Sequence, residues 1–433
     1  MTQLAEFPFF PVAFNRAGQP VDPGEIDAIR AAISSGAVSD LIVISHGWNN
    51  DLQEAHDLYG AFFGTARQLI SSGALTPEAD RRFAILGVFW PSKRFAEREL
   101  IPGGAAGLGG AGTAALRAEL EALEGVFDAP EASRTLAALA ELLPRLEDSE
   151  QACAEFVALA RTLVPAAAAE ANDEADGAAL FLALPPWEVF SRFQQPLGAP
   201  EWPGAEPQGA AGLGGVFGGI GAAARQVLNL TTYYQMKHRA GVVGAVGLNP
   251  LLRALQALDG GHRQHLIGHS FGARLVTACV AGGVDGESAV LPVASLVLLQ
   301  AAFSHHGLAE RWDGRRDGVF RRVMSEGALQ GPCVITHTAN DRAVGLAYPL
   351  ASLLAGQVAA GLGDADDPHG GMGRNGAQHT PEAVQGMLQR VGASYGFQRG
   401  RVHNLLADAH IQDHNDISGD AVAYATFQAM GCP

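Results

Sequence analysis

The stretch Leu266-Ile267-Gly268-His269-Ser270-Phe271-Gly272 constrains the chain more than any other. An apolar run ends in Gly-x-Ser-x-Gly and passes straight into helix-forming sequence. This is the pattern of a nucleophile elbow, in which a strand feeds a sharp turn, the serine occupies its tip in a strained conformation, and a helix leaves at once. Gly268 and Gly272 keep side chains out of the crossing between strand and helix, and the helix N-terminus favours negative charge beside the serine. In a chain with 54 glycines the pattern also arises by chance, so its surroundings decide what it means.

Those surroundings alternate between strand and helix. Phe7 to Phe14 is extended in character, and Asn15-Arg16-Ala17-Gly18 predicts a turn into a second extended piece near Val21, an opening hairpin. Gly24 to Ser34 has helical periodicity. Leu41-Ile42-Val43-Ile44 is the continuous apolar run of a strand buried on both faces. Asp51 is placed to cap a helix over 52–71, and Phe83 to Trp90 supplies another buried strand. Strand, helix, strand begins a parallel sheet with crossover helices.

From about residue 95 to 226 that alternation stops. Ala- and Leu-rich helical patterns follow, separated by Gly-rich runs over 103–112 and 209–221, and most of the net charge of −16 lies here. The segment reads as a helical insertion, its glycine runs serving as linkers or as hinges of a mobile lid. Leu228 to Leu258 is helical with a break around Gly244 to Pro250. Next come the strand His265 to His269, a crossover helix Ala273 to Ala281, and strands at Ala294 to Leu299 and Cys333 to Thr338 on either side of a polar excursion over 304–331. A helix over 346–362, a Gly/Asp-rich loop over 364–376, a weaker strand at Val402 to Leu406 and a last helix reaching about Met430 complete the chain. The expected class is α/β, with the core in 1–94 and 227–433 and the insertion over 95–226.

Hydrophobic residues at 48% and charged residues at 17% describe a globular chain with material for a large core. The negative balance argues against nucleic acid or anionic lipid as a partner. Cys153, Cys279, Cys333 and Cys432 lack paired spacing, so free thiols are expected and not a disulfide framework or zinc ribbon. Met1 to Pro11 carries Glu6 and no basic segment before an apolar one, and the longest uncharged stretches are Gly and Ala, poor membrane spans; a cytoplasmic location is the default expectation. His305-His306 and the group Asp364, Asp366, Asp367 and His369 invite a metal reading without ligand spacing, and a solvated loop is expected there. Neither a metal nor a cofactor is expected.

Three residues then fall in one order at the carboxyl ends of expected strands, where open α/β sheets place their sites. Ser270 follows a central strand, Asp341 a later one, and His414 the last. A serine hydroxyl is a poor nucleophile at neutral pH, so a histidine must take its proton and return it to the leaving group, while a buried carboxylate fixes the imidazole tautomer. His414 and Asp341 are the candidates for those roles. Alternatives stay open: Asp341 as a helix cap or a turn residue with Asn340, His410 or His403 in place of His414, Asp413 or Asp416 pairing a structural histidine, and Asp313 or Asp317 as the acid. His46 is expected to shape its loop, and His269 to pack or line the pocket. Tyr233 and Tyr234, with Met236, would line an acyl pocket or form an amphipathic stripe.

Through Ser45-His46-Gly47-Trp48, Gly268-His269-Ser270-Phe271-Gly272, Thr338-Ala339-Asn340-Asp341 and His414-Asn415-Asp416-Ile417, the chain resembles the α/β-hydrolase superfamily over nearly its whole length except the insertion. His46 to Asp51 together with Tyr233-Tyr234-Gln235-Met236-Lys237 is similar to a bacterial branch of it. The resemblance implies a mostly parallel central sheet flanked by helices, a helical cap, and an oxyanion site made by the backbone N–H groups of Phe271 and Trp48, with the Trp48 ring as a pocket wall. It implies a serine esterase or lipase acting on a small-molecule ester with an apolar or bulky acyl group. Hydrolysis of a thioester, lactone or amide, or a silent binding protein that keeps the fold, are the alternatives.

Overall fold

Apolar runs too short for helices, with side chains to bury on both faces, lie side by side in one sheet. The computed structural model describes residues 2–92, 110–166, 178–194, 219–259, 261–283, 289–341 and 369–432. Its strands are β1 (Thr2–Leu4), β2 (Phe7–Ala13), β3 (Asp40–Ser45), β4 (Phe83–Phe89), β5 (Arg263–His269), β6 (Ser295–Leu299), β7 (Cys333–His337), β8 (Ala383–Met387) and β9 (Val402–Leu406). They form a nine-stranded sheet in the order β1-β2-β4-β3-β5-β6-β7-β9-β8. Only β1 is antiparallel to its neighbour. The protein is therefore mixed α/β with a mostly parallel sheet, as its alternating pattern predicts.

Helices cover the sheet. The helices α1 (Pro23–Ser34), α2 (Leu52–Ser71), α3 (Phe271–Ala281) and α4 (Asp420–Ala429) pack around the strands. Asp51 accepts hydrogen bonds from the backbone of Gln53 and Glu54 while Glu54 reaches back to the Asp51 N–H, a capping box that starts α2. Tyr59, Phe62, Phe63 and Ala66 of α2 and Val422 and Phe427 of α4 share one core with Ile42, Ile44, Ile85, Ile267, Val297 and Val334 of the strands. Helix α3 is buried along its whole length against β3, β5 and β6.

Three details depart from the sequence reading. The opening hairpin forms one turn earlier, between β1 and β2, because Ala5 and Glu6 both adopt positive φ and close a two-residue turn. Asn15 to Gly18 leads only to an isolated bridge between Phe14 and Pro20. Around Gly244 the helix does not break: Val243–Leu248 is a π-helical turn running from the helix Ile220–Val242 into Asn249–Gln256. A Cβ on Gly244 would meet the Leu275 carbonyl oxygen at 2.1 Å, so this glycine allows close packing on α3 and does not end the helix. Strand β8 was not expected, since it is an edge strand with mostly exposed side chains and lacks the apolar signal.

The chain divides into two compact units, residues 1–93, 239–345 and 370–433 in the first, 94–238 and 346–369 in the second. The second unit is helical among its described residues, with helices Gly110–Ala122, Ala132–Leu142, Glu150–Arg161, Ala178–Ala183 and Pro186–Phe193 and the first part of Ile220–Val242. Leu139, Phe156, Phe181, Phe190 and Phe193 fill its core. Arg225 clasps Glu119, and Gln235 exchanges hydrogen bonds with Asp128. The expected helix over 346–362, Asp364, Asp366, Asp367 and most of both Gly-rich runs lie outside the described residues. All four cysteines are free and buried. No helix among the described residues is long and apolar enough to cross a membrane.

Candidate active site

The carboxyl ends of β3, β5, β6, β7 and β9 deliver polar residues to one edge of the sheet. Ser270 leaves β5 at φ 56°, ψ −124° and precedes the first residue of α3. A non-glycine residue in that region costs about 1–3 kcal/mol and persists only where its surroundings over-determine it. Here they do. The Ser270 N–H donates to the Leu299 carbonyl at 3.0 Å, and its own carbonyl accepts from the Ala302 N–H at 3.1 Å, so the end of β6 fixes both backbone groups.

The loop after β3 comes up against the same serine. A Cβ on Gly272 would stand 2.2 Å from the Ser45 carbonyl oxygen, and one on Gly47 would stand 2.6 Å from Ser270 Cβ and 3.2 Å from its Oγ. Both positions need glycine because backbone passes backbone or a side chain at contact. His46 braces this loop from beneath. Its Nε2 accepts from the Trp90 N–H, which leaves Nδ1–H to donate to the Gly47 carbonyl at 2.9 Å, and its ring stacks on Trp90. Burial pushes the His46 pKa down to about 4. Trp48, half-buried, has its ring 5.8 Å from that of Phe271.

Asp341 and His414 come together. His414 Nδ1 lies 2.8 Å from Oδ2 of Asp341, whose carboxylate is fully buried. Nδ1 donates to the carboxylate, so Nε2 is the ring nitrogen that remains to accept a proton. His414 also lies against the residue before the serine: the His269 ring is 4.9 Å from its ring, and His269 Nε2 is 2.8 Å from its backbone carbonyl oxygen. Burial first, then the neighbouring His414, drive the His269 pKa down to about 3.

The other candidates take different places. His403 lies on β9 with Nε2 accepting from the Gln398 N–H. Asp313 accepts from Arg315 and Arg316 within an exposed turn, and Asp317 accepts from the Arg311 N–H. His305 and His306 face each other, Nε2 to Nε2 at 3.0 Å, and among the described residues no three of His, Cys, Asp and Glu converge as metal ligands. Tyr233 and Tyr234 are buried in the second unit, their rings edge to face at 5.5 Å, with Phe181 against Tyr234.

Two contributors have no signal in the sequence. Asp408, just past β9, accepts from Thr338 Oγ1 at 2.7 Å and from the Ala339 N–H at 2.9 Å. Asn340 Nδ2 in turn donates to the carbonyls of Asp408 and Ile411. Together they tie the turn that carries Asp341 to the loop that carries His414. Gln300, after β6, holds φ 43° and accepts from Thr336 Oγ1, while its buried Nε2 has no hydrogen-bond partner among the described residues. No protein-family model matches the sequence, and no curated protein and no solved structure matches it.

Proposed function

We propose that the protein is a serine hydrolase of the α/β-hydrolase fold that cleaves carboxylic esters through an acyl-enzyme, with the helical second unit as its cap insertion. The observation that carries this reading is the 2.8 Å contact between His414 Nδ1 and the buried Asp341, made by a residue whose carbonyl is bonded to the neighbour of a strained serine. Helix caps and surface turns do not require that combination.

In the proposed reaction, His414 Nε2 takes the Ser270 hydroxyl proton as Oγ attacks the ester carbonyl carbon. Charge develops on the former carbonyl oxygen, and the backbone N–H groups of Phe271 and Trp48 are the proposed donors to it; losing one such donor costs about 3–4 kcal/mol of transition-state stabilisation. The C–O bond to the alcohol then breaks, and His414 returns the proton to the departing oxygen. Water attacks the acyl-Ser270 ester with His414 again as base, releasing the carboxylic acid and restoring the serine. Asp341 holds the ring's tautomer and stabilises the imidazolium. An apolar or bulky acyl group is the proposed substrate class, on the Ala- and Leu-rich composition of the helical insertion.

A fluorophosphonate probe tests the reading directly. Wild type is expected to be labelled at Ser270 and the Ser270→Ala variant to remain unlabelled; equal labelling of the two, or none of wild type, overturns it in favour of a binding protein. With p-nitrophenyl esters of rising chain length, activity is expected to increase beyond acetate. A preference for acetate counts against a large acyl pocket.

A further inference from the structure

His269 is the middle residue between Gly268 and Ser270, and its ring is only 3% exposed. Its Nε2 faces the His414 carbonyl oxygen at 2.8 Å. A carbonyl only accepts, so Nε2 carries the ring's proton and Nδ1 is a bare lone pair. Nδ1 is buried without a hydrogen-bond partner. One nitrogen is committed to His414, and among the described residues no hydrogen-bond partner takes the other.

The loop over 408–418 shows why that single donor matters. Its start is held by Asn340, which donates to the Asp408 and Ile411 carbonyls, and its end by Thr65 Oγ1, which donates to the Ser418 carbonyl at 2.9 Å. Between them run short-range bonds, Gln412 N–H to Asp416, Asn415 N–H to Asp413 and Ile417 N–H to the Asn415 carbonyl, and the side chain of His414 reaches out of the loop to Asp341. The His269 bond reaches the loop at His414 itself, from the residue bonded to Ser270.

We propose that His269 is a positioning residue, whose Nε2–H holds the His414 carbonyl and thereby sets the imidazole between Asp341 and Ser270. This role rests on the serine-hydrolase reading for its consequence in turnover. The coupling runs through one peptide bond on the serine side and one hydrogen bond on the histidine side, so a shift at one is passed to the other. The ring must also remain uncharged, because it packs 4.9 Å from the ring on which an imidazolium would form. Its burial and its pKa of about 3 keep it neutral across the working range.

Two variants separate the hydrogen bond from the packing. His269→Phe keeps a ring and removes the donor; His269→Gln supplies a side-chain N–H without the ring. His269→Phe is expected to slow fluorophosphonate labelling and to lower kcat by about ten- to a hundredfold, with KM within about twofold of wild type. His269→Gln is expected to recover most of that loss. The labelled fraction at completion reports folded protein, so a folding defect lowers the amplitude and leaves the rate constant. Wild-type rates in His269→Phe, or no recovery in His269→Gln, overturn the positioning role. If wild type is not labelled at all, the hydrolase reading falls instead, and proton NMR still tests the coupling. The His414 Nδ1 proton shared with Asp341 is expected to be protected from exchange in wild type and His269→Gln and exposed in His269→Phe. Equal protection in all three overturns the proposal.

Discussion

Strand β5 carries two buried histidines, four residues apart, at opposite ends of the sheet, and the protein treats them oppositely. At the amino end, His265 uses both ring nitrogens: Nε2 donates to Asp40 at 3.1 Å and Nδ1 accepts from Ser295 Oγ at 2.8 Å. Asp40 also takes Arg81 through two nitrogens, Ser39 through its hydroxyl, and Arg263. At the carboxyl end, among the described residues, His269 has one partner and one bare nitrogen, beside a serine in a strained conformation and a glutamine whose amide oxygen is taken by Thr336 while its nitrogen lacks a hydrogen-bond partner. Buried polar groups normally find all their partners. The closed amino end is what stability alone produces, and the carboxyl end keeps strain and hydrogen-bonding capacity in reserve, as reacting sites do.

That contrast predicts different casualties for equal insults. Asp341→Asn is expected to cut kcat on a p-nitrophenyl ester by roughly 10⁴-fold, because the amide selects the wrong tautomer of His414. Thermal stability should hardly change. Asp40→Ala is expected to do the reverse: with Arg81 only 1% exposed at its side chain, removing its carboxylate strands a buried charge and costs about 3–5 kcal/mol of folding stability. The fraction that remains folded should keep its specific activity. Chemical denaturation beside active-site titration measures both, and a large stability loss in Asp341→Asn, or a catalytic loss without one in Asp40→Ala, breaks the contrast.

Acid should expose the two ends in sequence. His269 and His46 titrate in the folded protein at about 3 and about 4, below the ordinary histidine value. Between about pH 6.5 and 4 the unfolded chain therefore binds protons that the folded chain refuses, and each ring removes about 1.4 kcal/mol of stability per pH unit as pH falls. Burial also lowers the pKa of His265, His337 and His403, which adds to the same slope. Asp40 behaves differently. Burial alone would raise its pKa, but hydrogen bonds from His265, Arg81 and Ser39 outweigh it and hold the carboxyl well below its ordinary range. Its contribution is complete above the ordinary carboxylate pKa and is lost only as pH falls below it. Unfolding free energy measured from pH 7 to 4 should thus lose about 1.4 kcal/mol per unit of slope in His269→Gln. An unchanged slope would mean that the ring is not held neutral.

Much of this architecture is legible in the sequence because it follows from local rules. Leu41 to Ile44 declares a strand buried on both faces, Asp51 and Glu54 declare a helix start, and Gly268 and Gly272 declare a tight crossing of strand and helix. Ser270, Asp341 and His414 stand out because each follows a strand in turn. What stays illegible is long-range or unpatterned. The bond from His269 to His414 spans 145 positions, and Asp408 meets Thr338 across 70; neither leaves a periodicity to read. Strand β8 hides for a related reason, since an edge strand with exposed side chains need not alternate. Gly244 misleads, because a glycine placed for close packing looks the same in sequence as a helix breaker.

The smallest expected effect concerns how the acid is aimed. Asp408 lies outside the reacting groups, yet its Oδ1 receives both the Thr338 hydroxyl and the Ala339 N–H, and so sets the turn that ends in Asp341. Removing this acceptor frees the Ala339 N–H at the surface, where water replaces it, and the hydroxyl of the buried Thr338, at a cost of about 1–3 kcal/mol in stability. The turn can then drift, and a carboxylate displaced by a fraction of an ångström orients an imidazole less well. Asp408→Ala is expected to lower kcat by roughly three- to tenfold with KM nearly unchanged and a small fall in melting temperature. Asp408→Asn, which keeps a carbonyl oxygen in place, should restore most of the activity. If both variants are equally impaired, charge and not geometry is what Asp408 contributes. If neither is impaired, the carboxyl end of the sheet is held more rigidly than its unpartnered groups imply, and the contrast with the Asp40 network narrows.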